Sequence, residues 1–207
     1  MVRFWELRER LTFSMAEKAE ESAEKYALLA LEYNKESPTA LSLLASIRLS
    51  QTRVQEATEL LQQSLSRWLG VHGAAIPPYA ERINLVKLLL EIELYAKALE
   101  VLETMEREDE ENVELWYLYT CAYYHDTEES KEESWKSAKE CAEMCLKLYQ
   151  RMEWDDEDLK SSCQEMLSEI QKSGIVVEKE EDAEGEGEGE DWESEDEDAD
   201  VEMEDAN

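Results

Sequence analysis

A spacing of four residues followed by three recurs four times along this 207-residue sequence and separates small or apolar side chains. The first members of the four sets are Ala23, Ala57, Ala98 and Ala138, at intervals of 34, 41 and 40 residues. The two longer intervals contain a Gly/Pro loop after Trp68 and the charged stretch HDTEESKEES. Small side chains at this spacing let a helix approach its neighbours closely, so the pattern predicts a tandem array of packed helix pairs. The sets are Ala23, Ala27 and Ala30; Ala57, Leu61 and Ser64; Ala98, Leu102 and Met105; and Ala138, Ala142 and Cys145.

Helical periodicity also fills the sequence between these sets. Eight segments place apolar residues three and four positions apart, and none shows the alternation typical of a strand. A period near 34 in helix pairs resembles the tetratricopeptide pattern, and Trp116, Tyr119 and Tyr123 lie near the Trp, Leu and Tyr of its signature. The predicted fold class is all-α, a tetratricopeptide-like antiparallel helix-pair solenoid; an ordinary helical bundle is the alternative. The predicted helices span 16–33, 38–50, 54–69, 79–92, 95–107, 113–124, 128–151 and 155–172.

The two ends of the predicted repeat array differ. The last predicted helix has apolar residues on one face and charges opposite, which is typical of a C-terminal capping helix. The first helix is preceded by apolar residues with no capping helix ahead of them. Either this segment folds back as a degenerate first helix of a pair, or a partner or missing repeats cover it. The residues concerned are Phe4, Trp5, Leu7, Leu11 and Phe13.

The sequence divides into a repeat domain, residues 1–174, and an acidic tail, residues 175–207. Between Glu178 and Asn207 there are 18 acids and one base, Lys179, so this stretch contributes −17 of the formal net charge of −32. Its low complexity and small apolar content predict a disordered tail. The folded part contributes the remaining −15, from 35 acids and 20 bases.

This charge bears on the partners that the chain can bind. A total of 53 Asp and Glu against 21 Lys and Arg repels nucleic acid and anionic membrane surfaces, and it attracts basic proteins. No apolar run approaches the roughly 18 residues of a membrane span. We therefore expect a basic protein partner, no direct nucleic-acid contact and no membrane. The alternative interpretation is that the charge serves solubility alone.

No constellation of catalytic or cofactor-binding residues stands out. The two histidines, His72 and His125, lie in a Gly-containing loop and in an insertion, and no phosphate or dinucleotide loop is present. Cys141 and Cys145 lie on one helix face, but the spacing is weak support for zinc. We expect core thiols, no metal, no cofactor and no enzymatic activity.

In a solenoid of helix pairs, the first helices line the concave surface. Three of the predicted helices contribute to this groove, and acids with aromatic side chains suit an extended basic segment. The alternative is that the tyrosines pack against the helix that follows. The candidate groove residues are Ile83, Lys87, Glu114, Tyr117, Cys121 and Tyr124, with Thr39, Ser42, Ser46 and Leu90 beside them.

Several segments, in this order, resemble one protein family. They are SPTALSLLASIRLSQTRVQEATELLQQSLSRW, ERINLVKLLLEIELYAKALEVLETM, ENVELWYLYTCAYY, AKECAEMCLKLYQRMEWDDEDL and the acidic tail. Together they resemble the C-terminal half of the fungal assembly chaperones of ribosomal protein L4. The resemblance implies a superhelix that holds the long basic loop of newly made L4 until L4 joins the pre-60S ribosomal subunit. It also implies localisation in both nucleus and cytoplasm.

Two other binding functions fit the composition. A histone chaperone, or a general escort of basic nuclear proteins, would carry the same kind of tail. A tetratricopeptide scaffold in a multiprotein complex would share the fold. A clamp for the carboxyl terminus of a heat-shock protein fits poorly, because it needs a groove lined by basic residues. The predicted groove offers one clear base, Lys87, with Asn84 nearby.

Overall fold

The structure is a computed structural model that describes residues 2–73, 75–126 and 130–174, with side chains described from residue 18 onward in the first helix. The described residues form eight α-helices and no strand, which confirms the all-α fold class. The tail, residues 175–207, lies outside the described residues, and its disorder remains a prediction. The helices are α1 (Val2–Tyr33), α2 (Pro38–Ser50), α3 (Val54–Ser66), α4 (Tyr79–Glu91), α5 (Tyr95–Glu106), α6 (Val113–His125), α7 (Lys131–Arg151) and α8 (Glu157–Lys172).

Four of these eight helices have a polar capping residue at their N-terminal end. At each of four starts a side-chain oxygen accepts a hydrogen bond from the backbone N–H three residues later, a group that otherwise lacks a partner. Pro38 follows the first of these caps, at a position where its missing N–H costs nothing. The four pairs are Ser37 with Ala40, Asn112 with Leu115, Ser130 with Glu133, and Asp156 with Leu159.

The same tight turn follows three helices. Thr52, Glu93 and Glu153 all have a positive φ, between 51° and 62°. In each case the next N–H donates to a carbonyl oxygen five residues earlier, as Arg53 does to Arg48 at 2.8 Å. This reversal after α2, α4 and α7 sends the chain back along the helix it has just left. The turns after α2 and α4 lie at equivalent places, between the two helices of the pairs α2–α3 and α4–α5, whereas the turn after α7 leads into α8.

Helices adjacent in sequence pack on one another in the pairs α2–α3, α4–α5 and α6–α7, and alternate helices also meet, at α2–α4, α4–α6 and α6–α8. The small-residue sets of α3, α5 and α7 lie at the centre of this packing. All nine members are fully buried, which confirms the prediction from their spacing. The first set differs: Ala27 is buried, whereas Ala30 is exposed.

Three predicted boundaries need correction. The segment 2–15 does not fold back as a separate helix, because α1 runs without a break from Val2 to Tyr33. Helix α3 ends at Ser66 rather than near Leu69, since Arg67–Gly70 forms turns. Helix α7 begins at Lys131 rather than Glu128, where Ser130 caps it. The charged insertion thus divides between a loop, of which residues 127–129 lie outside the described part, and the first turn of α7.

Arg48 joins α1 to α2 and α3. Its guanidinium lies 2.7 Å from Glu24 Oε1 and 3.5 Å from Glu56 Oε2, while its side chain is only 9% exposed. Gln51 Nε2 also donates to Glu24 Oε2, at 3.0 Å. The hydrogen bond from Gln51, followed by the bond and charge of Arg48, lowers the pKa of Glu24. The ionised form of Glu24 is therefore the one that the fold favours.

Replacing Glu24 by glutamine should lower the melting temperature at neutral pH, because a neutral amide leaves the Arg48 cation short of a partner. Since the folded-state pKa lies below the ordinary value of 4.5, the contribution of Glu24 is present above that pH and is lost as the pH falls through the folded-state pKa. The gap in melting temperature between wild type and Glu24→Gln should narrow as the pH falls below 4.5 and close once Glu24 is protonated in the folded state. Thermal unfolding followed by circular dichroism measures this gap, with Glu59→Gln at an exposed site as the control. A gap that persists at acid pH would contradict the assignment.

Candidate functional site

The first helices of the pairs and the capping helix, α2, α4, α6 and α8, form one row that we call the A-helix face. Polar side chains bridge each neighbouring pair of helices along this row. Each bridge joins one helix of the row directly to the next through their side chains. They are Thr39 Oγ1 to Glu81 Oε2 at 2.5 Å, Lys87 Nζ to Glu114 Oε1 at 2.6 Å, Tyr117 Oη to Ser162 Oγ at 3.0 Å, and Tyr124 Oη to Glu169 Oε2.

A cavity of about 370 Å³ opens on the A-helix face between α2 and α4. Leu43 and Leu88 supply apolar surface, and Leu43 remains 48% exposed. Below it, Ser42 Oγ lies 3.0 Å from Ser64 Oγ, and Ser64 Oγ donates to the Pro38 carbonyl at 3.0 Å. The cavity therefore combines an apolar surface with hydroxyl groups already satisfied within the fold. Its lining consists of Pro38, Thr39, Ser42, Leu43, Ser46, Pro77, Glu81, Asn84, Leu85, Lys87 and Leu88.

The prediction is wrong for one of the candidate groove residues. Ile83 is 6% exposed and lies in the main core, so it does not line the groove. The residues of α4 that line the cavity are Glu81, Asn84, Leu85, Lys87 and Leu88. Ile83 precedes Asn84 by one residue, which turns its side chain by about 100° around the helix and into the core. Of these five residues, the groove prediction included only Lys87.

Lys87 and Glu114 do reach the A-helix face. Lys87 is exposed beside the cavity, and its ion pair with Glu114 connects α4 to α6. Both groups are more than a third exposed in their side chains, so the pair contributes little to stability. Its effect is to cancel the positive charge of Lys87 at the cavity rim.

The aromatic part of the predicted groove packs against the following helices. Tyr124 stacks on Trp135 of α7 with ring centroids 5.3 Å apart, and its hydroxyl donates to Glu169 of α8. Burial raises the pKa of Tyr117 to about 12 and that of the Cys121 thiol to about 11. Packing, the alternative considered for these tyrosines, is what the structure shows. Their contact with a partner remains a prediction.

The cysteines pack in the core. Cys141, Cys145 and Cys163 are buried, and Cys121 is half-buried. Cys145 Sγ donates to the Val113 carbonyl at 3.6 Å, and Cys163 Sγ donates to the Ala142 carbonyl at 3.7 Å. The residues that the structure describes bring together no group of three or more His, Cys, Asp or Glu suited to a metal ion. Nor does any described helix combine the length and apolar character needed to cross a bilayer.

Many of the lysine and arginine side chains form ion pairs within the chain. In the described part, ten lysine and arginine side chains form ion pairs with glutamates of the same chain. The most buried is Arg82, 2.5 Å from Glu108 Oε2, which ties α4 to the turn that follows α5. Because the chain holds far more acids than bases, internal pairing leaves the excess negative charge on the surface.

Two fungal proteins are similar to this chain. A protein of Schizosaccharomyces pombe named "Probable assembly chaperone of rpl4" is 34% identical over 170 residues, which cover 76% of this chain and 51% of that protein. A protein of Emericella nidulans with the same name is 36% identical over 179 residues, covering 77% of this chain and 47% of that protein. The chain thus spans about half the length of the curated relatives it matches. No family model matches the chain.

Two solved structures also match the chain, at lower sequence identity. The structure titled "MamA RS-1 ArsTM double mutant" has a TM-score of 0.48 at 17% identity, covering 81% of this chain and 93% of that one. The structure titled "MamA 41-end from Desulfovibrio magneticus RS-1" has a TM-score of 0.42 at 18% identity, covering 80% of this chain and 91% of that one.

The resemblance proposed from the residues is confirmed at the level of sequence: over about three quarters of its length, the chain is similar to fungal proteins named as probable assembly chaperones of rpl4.

Proposed function

We propose that this chain is a dedicated chaperone that binds newly made ribosomal protein L4 and shields it until L4 enters the pre-60S ribosomal subunit. The observation that carries the proposal is the similarity to two proteins that both bear the name of an rpl4 assembly chaperone. The chemistry agrees with it. A ribosomal protein that binds RNA is basic, and before assembly it lacks the RNA phosphates that balance its charge. The acidic surface of this chain supplies a temporary replacement.

The cavity between α2 and α4 is the part of the described surface best suited to hold such a client. It offers apolar contact at Leu43 and Leu88 and a neutral polar rim at Asn84 and Ser46. The one cation at its edge, Lys87, is already paired. A basic segment can therefore enter without meeting an unbalanced positive charge. Exposed, screened contacts also allow release, which a chaperone needs.

The proposal assigns no enzymatic activity and no cofactor to the chain. It places the protein in both the cytoplasm, where L4 is made, and the nucleus, where the large subunit is assembled. Two alternative functions are a histone chaperone or general escort of basic nuclear proteins, and a tetratricopeptide scaffold in a multiprotein complex. These alternatives predict different partners, so identifying the bound protein separates them.

Affinity purification of the full chain from its own cells, with mass spectrometry of the bound proteins, tests the proposal. We expect stoichiometric L4 and few other ribosomal proteins. Recovery of histones or many basic proteins would support the general escort instead. A stable set of several partners without L4 would support the scaffold. Either result would overturn the L4 assignment.

Deleting residues 178–207 then asks which part of the chain selects the client. The deletion removes −17 of the −32 net charge. We expect binding to purified L4 to survive and to weaken most at low salt, because long-range attraction falls while the groove remains. Titrations of L4 and of a core histone at two salt concentrations measure this. If the deletion abolishes binding of both proteins alike, specificity does not lie in the repeats.

A further inference from the structure

The ion pair between Lys87 and Glu114 lies beside the cavity between α2 and α4. Lys87 lines the cavity, and its Nζ lies 2.6 Å from Glu114 Oε1 of α6. Within the described part of the chain, this is the one ion pair that joins two helices of the A-helix face. A carboxylate next to the apolar cavity therefore already holds a cation, and that cation belongs to the chain itself.

The surroundings of Glu114 are negatively charged. Burial, followed by the charge of Asp109, raises the pKa of Tyr79 to about 12. Glu108 and Glu114 act in the same direction, whereas Arg82, which is itself paired with Glu108, opposes them. The place that the Lys87 ammonium occupies thus favours a positive charge, whichever molecule supplies it.

The Lys87–Glu114 pair is weak enough to be exchanged. Its side chains are 52% and 34% exposed, so water screens their attraction and the pair contributes little to the stability of the free chain. A lysine meets a carboxylate as a point charge, whereas an arginine can bond to both carboxylate oxygens at once. An arginine from a bound segment is therefore a stronger partner for Glu114 than Lys87 is.

Lys87 also has a second carboxylate within reach. Glu91 lies four residues further along α4, so the two side chains are neighbours on the same face of the helix. Glu91 is exposed and forms no ion pair with another described residue. A lysine released from Glu114 can therefore remain paired on its own helix, and the exchange leaves no cation without a partner.

We propose that Lys87 holds, in the free chain, the place of a basic side chain of the client. On binding, an arginine or lysine of the client takes over Glu114, and Lys87 turns to Glu91. The client's neighbouring apolar side chain enters the cavity of about 370 Å³, which Leu43 and Leu88 line. The inference rests on the proposed function, since it takes the client to be basic, and it adds what the site selects: a cation next to an apolar residue.

Fluorescence anisotropy with a labelled synthetic peptide of alternating arginine and leucine tests the exchange. Lys87→Gln should tighten binding by about two- to fivefold relative to Lys97→Gln, because the internal competitor for Glu114 is gone. Lys97 is the matched control: it pairs with Glu100 on α5 at 2.5 Å, it is 49% exposed, and its substitution removes the same charge. Equal affinities of the two variants would overturn the inference, as would a wild type that does not bind the peptide.

Two double variants show whether Glu114 passes to the peptide. Lys87→Gln with Glu114→Gln leaves the net charge unchanged, and so does the control, Lys97→Gln with Glu100→Gln. We expect the first to bind the peptide about threefold more weakly than the control, because the carboxylate that the peptide needs is missing. Equal affinities would show that the Lys87–Glu114 pair stays closed in the complex, which contradicts the exchange.

Replacing leucine by serine in the peptide tests the contribution of the cavity. Affinity for the wild type should fall by about tenfold, since the apolar side chain that enters the cavity is lost; an unchanged affinity would contradict entry of that side chain. Failure of the proposed function gives a different result. Peptide binding that follows the expected order, without L4 in the affinity purification, would support the exchange and overturn the L4 assignment. Recovery of L4 with equal peptide affinities in all variants would overturn the exchange alone.

Discussion

Replacing Leu102 by alanine should lower the free energy of unfolding by about 2–5 kcal/mol. Leu102 is fully buried in α5, at the centre of the main core, where α4, α5 and α6 meet. The truncation removes apolar contacts and leaves a cavity, because the helices around it are held by fully buried neighbours such as Leu89 of α4 and Leu115 of α6. A loss of this size is a large part of the about 5–15 kcal/mol that stabilises a typical domain.

Urea unfolding followed by circular dichroism measures this change. The matched control is Leu28→Ala in α1, where the side chain is 43% exposed and the expected loss is under about 1 kcal/mol. The comparison separates burial from the helix propensities of leucine and alanine, which are the same in both variants. Equal losses in the two variants would show that Leu102 does not occupy the core position described.

Introducing lysine at both Leu43 and Asn84 should weaken binding of L4 by at least tenfold, about 1.4 kcal/mol or more. The two residues line the cavity between α2 and α4 from opposite helices, and both are exposed. The change adds two positive charges where the proposal places a basic segment, and like charges brought together at an interface cost several kcal/mol. Because neither side chain is buried, the fold should be unaffected.

The matched control for this variant has lysine at Val54 and Met144. These residues lie on α3 and α7, away from the A-helix face, and the net-charge change is identical. Calorimetric titration with purified L4 should show near wild-type affinity for the control. If both variants lose affinity equally, the attraction is a property of the total charge and the general-escort function is favoured. If neither does, the cavity is not the binding surface.

Local signals were sufficient to predict most of the helices. The bounds of α4 and α5 differ from the prediction by one residue, at their C-terminal ends, since Pro78 and the turn at Glu93 mark where each helix starts or stops. The prediction failed where the signal was weak. Nothing in the sequence marked the start of α1 at Val2, and the C-terminal end of α3 lies in a series of turns before Gly70.

The candidate site was harder to predict than the fold. Lys87 and Glu114 were placed on the correct face, but Ile83 was assigned to the groove and lies in the core. An error of one residue in helical phase rotates a side chain by about 100°, which is enough to exchange core for surface. Tyr117 and Tyr124 bond to Ser162 and Glu169, 45 residues further along the chain, and no local pattern reports such a contact.

The spacing of small residues, by itself, determined that this chain folds as packed helix pairs, and its charge favours basic proteins over nucleic acid as partners. Only the tertiary structure decided which side of each helix remains open: the cavity between α2 and α4, and the side of α1 on which Tyr26 and Leu29 are exposed. The physical reason is that periodicity is a property of one helix. Burial depends on which other helices cover it, and those lie far away in the sequence.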